Sequence, residues 1–398
     1  MYHFSNIYKK NKKYRFNANQ LGINNKDLDK FNSCFNILKA KFQKKKEISN
    51  FKIKSSFDQC NSIHKKIFND LVEQTSDKTL IKFLKSIEFF SYKNLEETLN
   101  FFLKSKQFKA LNNKNYNLLK KNFYYKGYIS KKNLELLLNI SNKYLPELLR
   151  KAKAGKTRRS DLTISDLSFN KKISKILNLE FKKNGVLNNL KSFFGYEMIV
   201  AGAALELSIP SSVWWKKNSS SNMAKNLTSY IHTDESLTVP KSIIYLSDVK
   251  LSNGPLTFYP NVLKKIGIEN NPFAKLVGGT IHNVVLINKK LYKHKDQQPM
   301  TSRNLRNHFM CLPEDIRLSS HFGWDIKRNS KIEKLIDSKK DIMLGKKGRF
   351  AIFDGYSVLH RGGIINDNYR LVLQVTLRKK LSKLNLLYNL VKKNFYKK

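Results

Sequence analysis

The feature that most constrains the fold is a pair of residues, His232 and Asp234, with His360 far downstream. In a β-strand, residues i and i+2 point to the same side, so both side chains of the pair can reach one metal ion. Two histidines and one carboxylate are the ligand set that holds Fe(II) on one face and leaves the opposite positions open. A second strand must bring His360 to the first, and we predict these three residues as the metal ligands and the catalytic centre.

Three further residues are candidates for binding a co-substrate. Arg370 opens the apolar run Leu-Val-Leu-Gln-Val-Thr-Leu, so its side chain can point into the protein. A buried arginine without a partner is costly, and its planar fork suits a carboxylate-bearing co-substrate. Tyr230 has the same strand parity as His232 and Asp234, and it either donates a hydrogen bond to the co-substrate or is a packing aromatic. Thr257 is a weaker candidate of the same kind.

A family resemblance extends over roughly residues 190–380, about half of the chain. The runs that carry it are His232-Thr-Asp, Lys241-Ser-Ile-Ile-Tyr-Leu-Ser-Asp, Asn253-Gly-Pro-Leu-Thr-Phe-Tyr-Pro, Phe353-Asp and His360-Arg-Gly-Gly, followed by Arg370. In this order they resemble the phytanoyl-CoA dioxygenase-like branch of the 2-oxoglutarate/Fe(II)-dependent oxygenases.

The resemblance implies a double-stranded β-helix (jelly roll) that binds Fe(II), 2-oxoglutarate as co-substrate, and O₂. It also implies that Arg370 pairs with the distal carboxylate of 2-oxoglutarate, and that succinate and CO₂ are released. Iron halogenases that resemble this family have a small residue in place of the carboxylate ligand. Because Asp234 is retained here, hydroxylation or a related oxidation is the expected reaction.

Hydrophobic periodicity predicts a mixed α+β fold, with an N-terminal helical region packed against the C-terminal jelly roll. Apolar residues recur at helical spacing between residues 61 and 190, after a basic, polar segment at 1–60. The oxygenase domain is expected at 191–380, with a lid-like insertion at 262–347 and a basic C-terminal helix at 381–398. Short strands are predicted at 198–203, 230–234, 241–246, 256–259, 349–353 and 371–377.

The net charge of +46 would ordinarily suggest a polyanionic partner. Lysine supplies most of this charge and is spread along the whole chain beside Asn, Ile, Phe and Tyr, which is typical of an AT-rich genome. Nucleic acid is therefore an unlikely partner, although the field would attract anionic small substrates. The scattered cysteines favour a reducing compartment, and the N-terminus has no apolar signal. We expect a cytoplasmic protein without a transmembrane segment, and the sequence leaves its oligomeric state open.

The leading functional hypothesis is a dioxygenase that hydroxylates a small or lipid-like metabolite. The alternatives are an oxygenase that modifies nucleic acid or protein, which only the charge suggests, and a non-catalytic jelly-roll binding protein. The complete ligand set argues against the last. Four other histidines are expected to have surface or structural roles: His282, His294, His308 and His321.

Overall fold

The computed structural model describes residues 21–42, 48–104, 111–156, 159–210, 231–234, 239–267, 271–287, 308–309, 311–313, 315–317, 331–363 and 365–380. The helices are α1 (Asn25–Phe42), α2 (Asn50–Glu73), α3 (Lys78–Lys104), α4 (Lys114–Asn122), α5 (Lys131–Ser141), α6 (Leu145–Lys153), α7 (Leu167–Lys183), α8 (Val186–Phe194), α9 (Val262–Lys265), α10 (Pro272–Ile287) and α11 (Lys331–Lys339). The strands are β1 (Tyr124–Tyr128), β2 (Thr163–Ile164), β3 (Met198–Ser208), β4 (Lys241–Tyr245), β5 (Leu256–Tyr259), β6 (Asp341–Met343), β7 (Arg349–Phe353), β8 (Leu359–Arg361) and β9 (Arg370–Lys379).

The strands form two antiparallel sheets. The large sheet has six strands in the order β1-β7-β4-β9-β3-β2, and the small sheet has three in the order β6-β5-β8. The predicted combination of helices with antiparallel strands is therefore confirmed. The winding of a double-stranded β-helix stays a prediction.

Alternation along the strands separates the two faces of the large sheet. In β9, Leu371 and Leu373 pack in the cluster that contains Phe169 and Phe181 of α7, so this face is covered by helices. Val372, on the opposite face, packs in the cluster shared with the small sheet. Since side chains two residues apart share a face, Arg370 belongs to the inner face with Val372.

Aromatic rings join the inner faces of the two sheets. Tyr124 of β1 stacks on Phe258 of β5 with ring centroids 4.1 Å apart, and Phe258 contacts Phe353 of β7 edge-on at 5.3 Å. Offset-stacked and edge-to-face contacts are the favourable geometries for aromatic pairs. These rings fix the small sheet against the large one beside the ring of His360, whose centroid is 4.9 Å from that of Phe353.

The described helices divide into three groups: α4–α8 pack on the large sheet, α9 and α11 share a small apolar cluster with β5 and β8, and the third group lies at the N-terminus. Helices α1–α3 form a separate apolar cluster that also includes Phe273, Leu276 and Val277 of α10. Thus α10, which lies within the expected insertion at 262–347, packs with the N-terminal helices. Its edge-on contact between Phe273 and Phe31, at 5.1 Å, is an example. The described part of the insertion is therefore anchored, and its role as a lid stays a prediction.

Three structural details differ from the predicted segment boundaries. Helix α2 runs across the boundary expected at residue 60, because its apolar positions are as regular before that residue as after it. Strands β1 and β2 come from the segment 61–190 that helical spacing marked as helical. Each pairs with a later strand of the large sheet, β7 and β3 respectively, a long-range contact that local periodicity does not register. The segment 381–398 lies outside the described residues.

None of the described helices combines the length and the apolar character that a membrane crossing requires.

A buried histidine makes the helical cluster sensitive to acid. His64 of α2 is fully buried, and its Nε2 lies 2.7 Å from the hydroxyl of Ser91 in α3. Burial lowers the pKa of His64 to about 4 from its ordinary value of 6.5. Its imidazole is therefore neutral in the folded protein at pH values where the unfolded chain already binds a proton.

We predict that this histidine contributes stability that is complete above pH 6.5 and is lost as the pH falls towards 4. The expected loss is about 2 kcal/mol at pH 5. Denaturant unfolding at pH 7 and pH 5 would measure it in the wild type and in His64→Phe. The variant should lose that much less stability over this interval, and equal losses in both proteins would contradict the prediction.

Candidate metal centre

Two backbone hydrogen bonds place His232 opposite His360. The amide of His232 donates to the carbonyl of His360 at 3.1 Å, and the amide of His360 donates back at 3.0 Å. Residues paired in this way across an antiparallel ladder project their side chains from the same face. The two imidazole rings accordingly lie together, with centroids 4.5 Å apart.

The strand expected at 230–234 is reduced, in its described part, to this single bridge at His232. The next backbone contact of the segment is made to a turn, where the amide of Asp234 donates to the carbonyl of Gly355 at 2.8 Å. The side chains of His232 and Asp234 nevertheless lie on the same side of the segment, as their spacing of two residues predicted. Asp234 Oδ1 lies 3.9 Å from His232 Nε2, and Asp234 Oδ2 lies 3.7 Å from His360 Nε2.

The three side chains form a set that could hold one metal ion. One donor atom from each of His232, Asp234 and His360 can be chosen so that all three lie within 4.8 Å of one another. Asp234 and His360 are buried, and His232 is half-buried. Among the described residues, this is the only group of three or more histidine, cysteine or acidic side chains that meets this condition.

The hydrogen bonds of two ligands fit a bound metal. His360 Nδ1 lies 3.0 Å from the carbonyl of Val358, so we assign the ring proton to Nδ1, which leaves the lone pair on Nε2. Metal-binding histidines are commonly oriented by such a contact. Asp234 Oδ2 is buried and has no hydrogen-bond partner among the described residues. A buried carboxylate oxygen without a partner is costly, and a cation at this place would satisfy it.

The charges around Asp234 keep it ionised. Burial by itself raises its pKa, but the nearby ammonium of Lys241 holds the pKa of Asp234 below its ordinary value, and protonated His360 or His232 would lower it further. Lys241 makes the closest contact, with Nζ 2.8 Å from Oδ1. It belongs to β4 on the inner face of the large sheet. Lys241 thus occupies one carboxylate oxygen and leaves the other directed towards His360.

Gly355 belongs to the site, although the sequence analysis did not single it out. A Cβ atom at this position would lie 1.8 Å from Asp234 Oδ2, so no other residue permits this approach. The glycine stands in a turn whose first residue, Asp354, is a buried carboxylate with its pKa raised to about 6, chiefly by burial. In the sequence this glycine follows Phe353-Asp, and nothing in that run shows which side chain the glycine admits.

Arg370 lies on the inner face, with its guanidinium buried between backbone and hydroxyl groups. Nη1 donates to the carbonyl of Gly254, and Nη2 lies 3.4 Å from the hydroxyl of Ser208. Its Nε has no hydrogen-bond partner among the described residues, and no described carboxylate lies within ion-pair distance of it. A Cβ at Gly362 would lie 3.6 Å from Nη2, so the guanidinium approaches the segment that follows His360.

The other residues considered in the sequence analysis lie in different parts of the structure. Thr257 is buried in β5 opposite Arg361, and its hydroxyl lies 3.5 Å from the carbonyl of Pro255. His308 is buried in the helical region, where its Nε2 lies 3.1 Å from the hydroxyl of Thr79. Tyr230, His294 and His321 lie outside the described residues, as does the side chain of His282.

No protein-family model matches the sequence, and no curated protein matches it. Among solved structures, the chain is similar to the non-heme alpha ketoglutarate dependent carbocyclase SnoK from nogalamycin biosynthesis. The TM-score is 0.36 and the identity 10%, over 69% of this chain and 87% of that one.

Two further solved structures show a similar degree of likeness. EctD from S. alaskensis with bound Fe has a TM-score of 0.37 at 11% identity, over 70% of this chain and 82% of that one. AviO1 from Streptomyces viridochromogenes has a TM-score of 0.35 at 10% identity, over 67% of this chain and 95% of that one. Likenesses of this size do not establish a family or an activity, so the function must be argued from the geometry of the site.

The contact between Gly355 and Asp234 leads to a testable expectation. Gly355→Ala should displace the Asp234 carboxylate and weaken metal binding by about tenfold or more, as is typical when a ligand loses its orientation. Titration with Co(II), followed by its visible absorption, would measure this affinity. Gly202→Ala is the matched control, because a Cβ there meets only Asn170 Oδ1 at 3.8 Å. Equal Co(II) affinities in the two variants would contradict the role of Gly355.

Proposed function

We propose that the protein is a non-haem Fe(II)- and 2-oxoglutarate-dependent dioxygenase that hydroxylates a small or lipid-like metabolite. The observation that carries this proposal is the convergence of His232, Asp234 and His360 around Asp234 Oδ2, a buried oxygen without a hydrogen-bond partner among the described residues. Two imidazoles and one carboxylate on one side of an ion leave its other side open for a co-substrate and O₂. The finer assignment to the phytanoyl-CoA dioxygenase-like branch rests on the sequence motifs.

Bound Fe(II) with 2-oxoglutarate would supply the oxidation of a substrate C–H bond by O₂, with release of succinate and CO₂. The chain's own part is to fix geometry and to exclude water. His232 and His360 are positioned by their mutual backbone bonds, and Asp234 by Lys241 and Gly355. Burial of Asp234 and His360 keeps water away from the ligands, which strengthens each electrostatic contact among them.

Arg370 would bind the distal carboxylate of 2-oxoglutarate. Its guanidinium is buried, and no described carboxylate pairs with it. Burying an arginine without a counter-ion is unfavourable, so a bound dicarboxylate would remove a cost that the protein otherwise bears. Ser208, whose hydroxyl already lies 3.4 Å from Nη2, is placed to donate to the same carboxylate. Tyr230 is a further candidate for this role on strand parity alone.

The substrate class is argued from the net charge and from the spread of lysine along the whole chain. The net charge of +46 would attract anionic metabolites to the protein. An oxygenase of nucleic acid is the competing possibility, and it would show a steep loss of substrate affinity with salt. Turnover of 2-oxoglutarate, measured as succinate released across metabolite pools at physiological salt, would test the function and point to the substrate. A cytoplasmic location remains an expectation.

The metal ligands give a direct prediction. The wild type should bind one Fe(II) or Co(II) per chain, and Asp234→Ala and His360→Ala should each lose that binding while keeping the helical content of the wild type. Asp337→Ala is the control, since among the described ion pairs this carboxylate is found with Lys340 alone, at the surface. Metal analysis after gel filtration and circular dichroism would provide both measurements. Undiminished metal content in His360→Ala would remove the basis of the proposal.

Arg370 gives a second prediction. Truncating one partner of a desolvated charge pair costs about 2–5 kcal/mol, so Arg370→Ala should weaken 2-oxoglutarate binding by about one and a half to more than three decades. Arg370→Lys should recover only part of the affinity, because a point charge cannot reproduce the fork. The charge-transfer absorption of the Fe(II)–2-oxoglutarate complex would report the affinity.

The exposed Arg378 of the same strand supplies the control. Arg378→Ala should bind 2-oxoglutarate as the wild type does, and metal content should be unchanged in all three variants. Wild-type affinity in Arg370→Ala would show that another cation, with Lys241 the nearest to the site, binds the carboxylate.

A further inference from the structure

We propose that Lys275 of α10 is a positioning residue for the metal centre, through which the helical cluster holds the turn that orients two of the ligands. This inference rests on the proposed metal site. Helix α10 of the inserted segment, which packs in the apolar cluster of α1–α3, would thereby help to position the metal ligands.

The turn in question comprises residues 354–358, and it contacts two of the three ligands. The carbonyl of Gly355 accepts the backbone amide of Asp234 at 2.8 Å. The carbonyl of Val358 lies 3.0 Å from Nδ1 of His360. A displacement of this turn would therefore move Asp234 and change the ring orientation of His360 together.

Asp354 holds the turn in its shape. Its carbonyl accepts the amides of Ser357 at 3.0 Å and of Val358 at 3.1 Å, and its own amide donates to the carbonyl of Phe123 at 2.9 Å. Its carboxylate accepts the amide of Tyr356 at 3.2 Å. Such contacts between an aspartate side chain and the backbone two residues on are typical of tight turns.

The carboxylate of Asp354 requires a compensating charge. It is buried, and its charge repels that of Asp234. Two side chains favour the charged form of Asp354: Ser357, which hydrogen-bonds to it, and Lys275, which attracts it electrostatically. Lys275 Nζ lies 4.6 Å from the centre of the Tyr356 ring, a cation–π contact with a buried residue of the same turn.

Lys275 is itself fixed by its neighbours in the helix. Phe273 and Leu276 are buried in the helical cluster, where Phe273 packs edge-on against Phe31. The backbone of α10 is thus held by apolar packing, and the lysine extends from it to the turn. Without this ammonium, the repulsion between the buried carboxylates of Asp354 and Asp234 would be less compensated, and we expect the turn to shift.

The test compares Co(II) binding and its visible spectrum in four variants of the full chain. Lys275→Met should bind Co(II) about 10–100 times more weakly, the range found when a residue that supports a ligand is lost, and with an altered spectrum. Lys275→Arg should bind like the wild type. The double variant Lys275→Met with Asp354→Asn should recover most of the affinity, because the uncompensated charge is gone. Lys264→Met, an exposed lysine of α9, is the control.

The outcomes separate the inference from the function on which it rests. Absence of Co(II) binding by the wild type would overturn the metal centre and this inference with it. Wild-type affinity and spectrum in Lys275→Met would overturn the inference alone. If Lys275→Met does not fold, the double variant decides, and it must both fold and bind Co(II). If Lys275→Met binds Co(II) weakly and the added Asp354→Asn does not restore the affinity, Lys275 has only a structural role and the inference is wrong.

Discussion

The paired backbone hydrogen bonds between His232 and His360 are the contact on which the rest of the site depends. They join a short segment at 231–234 to β8, and so place both imidazoles on the same side of a ladder. Strand β8 is fixed in turn by β5, whose Phe258 packs against the large sheet. The proposed metal ligands are therefore positioned by sheet pairing and aromatic packing, which tolerate little displacement.

Charge balance is the second constraint on the centre. Asp234 is buried where the two sheets meet, and a buried carboxylate is stable only beside compensating charges. Lys241 supplies one from the inner face of the large sheet. The second oxygen has no hydrogen-bond partner in the described part of the chain, which is the arrangement expected of a ligand that shares its charge between a lysine and a metal ion. Structure and proposed chemistry thus require the same ionised aspartate.

The helical cluster and the sheets are more closely connected than their separation in sequence suggests. Helix α10 follows β5 along the chain, but its apolar face packs with α1–α3. Its one lysine within the described side chains, Lys275, reaches the turn beside Asp234. A change in the packing of these helices would consequently displace the proposed metal centre. The displacement would pass from α10 through Lys275 to the turn beside Asp234.

The sequence by itself determined five strands of the C-terminal half (β3, β4, β5, β7 and β9), the placement of His232 and Asp234 on one side of the chain, and the inward direction of Arg370. Each follows from the alternation of side chains along a strand, in which residues two positions apart lie on the same face. Only the tertiary structure decided that β1 joins the large sheet, that Gly355 admits the Asp234 carboxylate, and that Lys241 and Lys275 compensate buried acids. These contacts join residues far apart in the chain, and local periodicity carries no information on which distant segments meet.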